Sequence, residues 1–370
     1  ALKHQDYRTV VVNEDFIIKP IDGFGNPDLI RVTLATEKPD VLFIFTDPRF
    51  FTWLFDIEDE VRQICPIVWW HVWDNYPYPK FNDKYYQATD LINCHSHMTY
   101  TMLKDKYPEK TNFIPHALPE SLYFQLSDSD IMKFKETLLG KDRKDHFVGI
   151  WVNRNAKRKR PSDLLLSWKL FLDKLEKKEG HKNATLIMHT EPSDSEGPDL
   201  FKVVEMLEIE DHVFFSRDRL EFEKINVLYN ISDFCINTSY AEGFGLATLE
   251  AMMTGTPIIA PKTGGLTRQV VDHRDESHNG VACDIEMQTI VGSQNVPYIY
   301  EDYTSTQTFA DAMFKIYNMS DEEKKTLSKK VIDYSHSEFS LQNTVDQWHD
   351  TMLKTIKEFK NKKMWDITKL

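Results

Sequence analysis

Eight short apolar runs, each bounded by polar or turn residues, alternate along this chain with stretches of helical periodicity. They run from Val41 to Phe45, Ile67 to Trp70, Leu91 to Ile92, Phe147 to Val152, Ala184 to Met188, His212 to Phe215, Asp233 to Ile236 and Pro257 to Ala260. Apolar residues at 3.6-type spacing fill stretches between them, as from Pro161 to Lys178 and from Asp199 to Leu207. A strand that is apolar throughout is covered on both faces, and parallel strands need long crossovers, usually helices. The pattern therefore predicts an α/β protein with mostly parallel sheets.

At 370 residues the chain has material for about two such units. The alternation breaks between about Ala117 and Asp145, where Pro119 and the charged run Lys141 to Asp145 interrupt it. The expected division is an N-terminal domain over 1–140 and a C-terminal domain over 145–340. Val281 to Thr308 reads as a long loop. Leu341 to Phe359 reads as one amphipathic helix with Val345, Trp348, Met352 and Ile356 on its apolar face.

A net charge of -13 weighs against broad nucleic-acid binding, which needs a basic face. No run of 18 apolar residues is present, so no membrane-spanning segment is expected. Ala1 to Val10 is too polar for a signal peptide. The four cysteines show neither CxxC nor zinc spacing, and Cys235 lies in an apolar run. These features suggest a reducing, cytoplasmic setting.

The most informative segment runs from Ser239 to Pro257, between two predicted strands. Gly243 and Gly245 let the backbone approach a ligand closely, and a helix is expected from about Leu246 to Met253. Its unpaired N–H groups and positive dipole end make an anion site over the glycines. Glu242 and Glu250 flank that site with seven residues between them. A lone Gly-x-Gly is more often a tight turn; two acids at this spacing, with Gly255-Thr-Pro257 closing the helix, favour a ligand site.

A second constellation, Val152 to Pro161, also joins a strand to a helix and holds Asn153, Arg154, Lys157, Arg158, Lys159 and Arg160. A solvated basic loop is the plainer reading, and for Lys157 and Arg158 the better one. Arg154 directly follows a buried strand and is expected to meet an anion. Two cations facing a helix N-terminus can stabilise a leaving diphosphate without a metal.

Together, Glu242-x7-Glu250 around Gly-Phe-Gly, Asn153-Arg154 with Lys159, and Gly264-Gly265 resemble the retaining glycosyltransferases of family four. Pro39-Asp40, Val68-Trp-Trp-His71, Ala88-Thr-Asp90, Phe113-Ile-Pro115-His116 and Glu338-Phe-Ser340 look like further landmarks of that family, so the likeness extends from about residue 39 onward. It implies a GT-B fold: two Rossmann-like domains facing across a cleft, with the 341–370 tail crossing back to the first. It implies that Arg154 and Lys159 hold the diphosphate of a nucleotide-sugar donor, and that Glu250 takes the ribose and Glu242 the transferred sugar. Asn153, Gly243, Phe244, Gly245, Leu246 and Gly265 would line the donor, and His71 would reach across the cleft toward the sugar. His116 stands where the family often has Asn. Beyond the donor no cofactor or metal is implied.

The family's opening strand and Gly-Gly loop have no counterpart before Tyr7. Thr9 to Ile18 reads instead as a later strand, so that opening is expected to precede the first residue given.

The aromatic stretch from Trp69 to Pro79 offers Trp73, Tyr76 and Tyr78 as acceptor-side candidates, since flat rigid rings stack on sugars. Trp69 is expected in the core. Asp128-Ser-Asp130 reads as a helix cap rather than a metal motif, and His95-x-His97 lacks a third ligand. The expected acceptor is a hydroxyl of a glycan, lipid, small molecule or modified DNA base. Rival readings are a transferase acting on hydroxymethylated DNA, a phosphorylase needing lysine-bound pyridoxal phosphate, and a non-catalytic nucleotide-sugar-binding protein.

Overall fold

A computed structural model describes residues 8–360. Most of the polar amino-terminal stretch and the last ten residues of the predicted tail lie outside that range.

Two parallel sheets organise the chain. The first has four strands in the order β3-β4-β5-β6: β3 (Leu42–Thr46), β4 (Ile67–His71), β5 (Leu91–Cys94) and β6 (Thr111–Phe113). It follows a small antiparallel hairpin of β1 (Val10–Asn13) and β2 (Phe16–Ile18). The second has six strands in the order β12-β11-β10-β7-β8-β9. These are β7 (Phe147–Val152), β8 (Ala184–His189), β9 (Val213–Ser216), β10 (Phe234–Ile236), β11 (Ile258–Pro261) and β12 (Gly280–Cys283). All their pairings are parallel.

Most of the apolar runs become these strands because their residues are buried on both faces; the edge strands β3 and β9 leave Phe43, Phe45 and Phe214 exposed. In the second sheet one core packs Trp151, Trp168, Phe171 and Phe309 on one side, and another packs Ile150, Tyr229, Met252 and Tyr334 on the other. The smaller sheet has its own core around Ile67, Trp69, Tyr86 and Ile92. Burying each such side chain contributes roughly 1.5–3 kcal/mol. All four cysteines are buried and free. Among the described residues no helix is long and apolar enough to cross a membrane. Asp128-Ser-Asp130 opens the Asp128–Leu139 helix, capped by the Ser127 hydroxyl, as expected of a capping sequence.

The last helix, Leu341–Lys360, returns to the first sheet. Trp348 meets Phe43 and Trp70 edge-on, and Thr351 accepts a hydrogen bond from Asn93. The architecture is GT-B.

Three local expectations need correction. Thr9 to Ile18 forms no strand of either sheet: Asn13 turns the chain by capping the Asp15 N–H, and the resulting hairpin is largely exposed. The expected loop from Val281 to Thr308 instead contains a second hairpin, β13 (Met287–Val291) paired antiparallel with β14 (Ile299–Tyr303). Its strands carry no buried apolar run, so their pairing left no periodicity to read. Val345 points to solvent, and the buried line of the last helix runs through Thr344 and Thr355 on either side of half-buried Trp348.

Candidate functional site

The loop after β10 is held by its own backbone. Ser239 N–H donates to the Asn237 Oδ1, and Gly265 N–H donates to the Glu242 carbonyl at 2.9 Å. Gly264 (φ +49) lies so close that a Cβ there would fall 2.0 Å from that carbonyl. Gly245 (φ +92) is left-handed, and its Cβ would strike Leu266 and Thr248 at 2.7 Å. Only glycine tolerates both conditions. The helix Leu246–Met253 therefore starts with no side-chain cap on its first turn. Leu246 is exposed at that end, whereas the Phe244 ring is buried against His116 and Phe339 and offers only its backbone.

Glu242 is buried and contacts the ammonium of Lys159, itself half-buried at the end of a short 3-10 turn, Lys157–Lys159. Burial alone would raise the Glu242 carboxyl; Lys159 and Arg158 outweigh it and hold it below the usual carboxylate range. Glu250 does not face bulk solvent. Tyr229 donates to its carboxylate at 2.7 Å, and burial pushes the Glu250 carboxyl up against the opposing pull of Tyr229 and Tyr123.

Of the two expected diphosphate cations, Lys159 reaches the glycine-rich loop and Arg154 does not. Asn155 anchors to the carbonyls of Pro192 and Pro198, drawing this segment toward the loop after β8. There Asp194 and Glu196 hold Arg154 at 2.7 and 3.0 Å, with more than half of its side chain exposed. Half-buried Asn153 shares that strand end. Arg158, expected to be merely solvated, takes the other place instead: it donates to the Ala241 carbonyl and lies 3.9 Å from Glu242. A residue's position within a basic run does not reveal where a 3-10 turn will point it. Arg160 is structural, bound to Asp163 and to the Thr304 carbonyl.

His71 does not reach across the cleft. Strand residues alternate faces, so His71 shares the inner face of β4 with Trp69. Its ring lies 4.2 Å from the Trp69 ring and hydrogen-bonds Tyr86 at 2.9 Å. Burial holds that imidazole well below its usual value. His95, the residue after β5, meets the other half of the protein instead. Its Nδ1 donates to the His71 carbonyl at 2.5 Å, which fixes the tautomer, and a Cβ on Gly243 would fall 2.8 Å from its Nε2. That Nε2 is buried and, among the described residues, has no hydrogen-bond partner. His116 packs beside it, its imidazole pushed down to about 3 by burial and by His95. Among the described residues no cluster of three metal-ligating side chains includes His95 and His97.

The aromatic loop divides. Trp73 is buried, with its indole N–H donating to the Asn75 carbonyl, and the Tyr78 hydroxyl is tied to Asp83. Neither is free to stack on a ligand, because each fills packing space within the first half. Tyr76 remains exposed on a cavity of about 530 Å³ between the halves, with His97, Lys262 and Arg268 on other walls.

Residues 135–327, more than half of the chain, match the family model described as glycosyl transferases group 1. An N-acetyl-alpha-D-glucosaminyl L-malate synthase of Bacillus anthracis is 28% identical over 142 residues, 38% of this chain and 35% of that protein. A D-inositol 3-phosphate glycosyltransferase of Mycolicibacterium smegmatis is 38% identical over 73 residues, 20% of this chain and 17% of that protein. These matches thus span about a third or less of the curated relatives. Among solved structures, Anabaena HepE in complex with UDP and glucose superposes with a TM-score of 0.65 at 18% identity, over 90% of this chain and 84% of that one. A glycosyltransferase from Rickettsia africae gives 0.66 at 16% identity, over 92% and 85%. By its match over residues 135–327, the chain belongs to the glycosyl transferases group 1 family, and its fold agrees with that of the solved neighbours.

Proposed function

We propose that this protein transfers a sugar from a nucleoside-diphosphate donor to a hydroxyl acceptor, with retention of configuration and without a metal. The observation that carries the proposal is the meeting of Lys159, Arg158 and buried Glu242 beside the uncapped start of the Leu246–Met253 helix. Cations and helix N–H groups suit a diphosphate, whose negative charge grows as the glycosidic bond breaks. Lys159 and Arg158 take the phosphates, with backbone N–H groups of Gly245 and Leu246. Glu242 accepts from hydroxyls of the transferred sugar and Glu250 from the ribose.

In the transfer, the bond from the anomeric carbon to the phosphate oxygen breaks and its electron pair leaves with the phosphate. The acceptor oxygen bonds to the same face of that carbon and its proton passes to the departing phosphate. The likeness to retaining glycosyltransferases of family four supports this course.

The Anabaena neighbour was solved with UDP, which makes UDP-sugars the first donors to try. The curated relatives are named for L-malate and inositol 3-phosphate, so small anionic hydroxyl compounds are the first acceptors. Ligands that bind only the native state raise its melting point. A thermal-shift screen across UDP-, GDP- and ADP-sugars is expected to pick out one nucleotide. No shift with any of them refutes the reading.

A further inference from the structure

Asp74 stands at the contact between the two halves. Its Oδ2 lies 3.4 Å from the Arg158 guanidinium, and that same nitrogen is 3.9 Å from Glu242. One arginine thus spans an acid from each half. The Asp74 backbone is fixed on both sides. Thr99 donates to the Trp73 carbonyl at 2.9 Å, buried Trp73 donates to the Asn75 carbonyl at 2.7 Å, and the Asn75 amide donates to Tyr300 at 2.7 Å. The Asp74 carbonyl lies 3.5 Å from where a Cβ on Gly264 would stand. Its side chain is about one-third exposed, the part of this loop left to turn between partners.

A diphosphate carries more charge than one carboxylate and competes for Arg158. We propose that Asp74 is a catalytic carboxylate: without donor it pairs with Arg158, and donor binding draws the arginine away, so that Asp74 accepts a hydrogen bond from a non-reacting hydrogen of the acceptor (a second hydroxyl, or the other hydrogen of water), while the proton of the reacting hydroxyl goes to the departing phosphate. This rests on the donor-site reading above. The acceptor is favoured over the sugar because Asp74 belongs to the N-terminal half, two residues from Tyr76, which lines the cavity between the halves. Charge neutralisation in the absence of donor also spares the protein an unpaired cation at its cleft.

The test compares Asp74→Asn with the wild type in two measurements: calorimetric binding of UDP, GDP and ADP, and hydrolysis of the sugar donor of the preferred nucleotide, with water as acceptor. Removing a competing, partly exposed ion pair is expected to tighten binding of the preferred nucleotide roughly two- to five-fold. Losing the acceptor contact is expected to slow hydrolysis by about tenfold or more. In the double variant Arg158→Ala/Asp74→Asn the tightening disappears, because the competition acts through Arg158. A residue of merely structural importance would weaken both measurements. If Asp74→Asn binds nucleotide no tighter, or hydrolyses as fast as the wild type, the proposal is wrong while the donor site stands. If the wild type binds none of UDP, GDP and ADP, the donor-site reading fails and this proposal with it.

Discussion

The backbone N–H of Tyr300 donates to the carbonyl of Tyr76 at 2.6 Å, joining the β13–β14 hairpin to the aromatic loop of the other half. Asn75 returns a bond to the Tyr300 carbonyl, and Phe81 meets Tyr298 edge-on at 5.3 Å. The hairpin thus holds the loop that carries Asp74. Asn75→Ala is expected to cost about 1–2 kcal/mol, by leaving the Tyr300 carbonyl without its partner. Hydrogen exchange should be faster at the Tyr300 amide than in the wild type and unchanged in β7 and β8. Uniform acceleration would refute a local strap.

Arg158→Ala should reduce turnover by about 100-fold, the typical cost of one lost donor to developing charge. Arg154→Ala should reduce it by less than about tenfold, because Arg154 serves an exposed ion pair. The reverse ranking in steady-state kinetics would place the phosphate cation at Arg154.

Buried Glu250 is a source of instability. Burial raises its carboxyl in the folded state, so its contribution to stability is present below the unfolded value and lost as pH rises through the folded one. At neutral pH the charged form opposes folding. Glu250→Gln should therefore melt higher than the wild type at pH 7, with the gain vanishing below the ordinary carboxylate range. Nucleotide binding should weaken in the same variant. Melting curves across pH check the first claim, and an equal gain at pH 4 contradicts it.

Trp73→Ala is expected to destabilise by about 3–5 kcal/mol, since a buried indole leaves a cavity and an unpaired Asn75 carbonyl. Tyr76→Ala should leave stability within about 0.5 kcal/mol, as for an exposed site, and weaken the acceptor alone. Urea unfolding separates the two; equal losses contradict the division of this loop.

Transfer should continue in EDTA, because Lys159, Arg158 and the helix start carry the charge assigned to them. Activity abolished by EDTA and restored by a divalent ion contradicts the metal-free course.

Much was readable in the chain itself. The run Phe147 to Val152 announces β7 because each of its side chains needs cover, and Leu246 to Met253 was bounded by Gly245 before it and Gly255 after it. Glu242 and Glu250 stood out by residue type and spacing around a glycine-rich strand-to-helix turn, whereas Lys159 was singled out by the resemblance to retaining glycosyltransferases of family four. These are local properties, set by periodicity and backbone freedom within a few residues. Tertiary structure decided what lies across space. It chose Arg158 over Arg154 because a 3-10 turn aims one at Glu242 while Asp194 and Glu196 capture the other. It turned His71 inward and brought His95 to Gly243, because β4 alternates its faces and β5 ends where the halves meet. It gave Asp74 an arginine some eighty residues away and tied its loop to a hairpin without apolar periodicity. Charge pairing and contact between distant segments depend on how two sheets are set against each other, and no spacing along one chain encodes that distance.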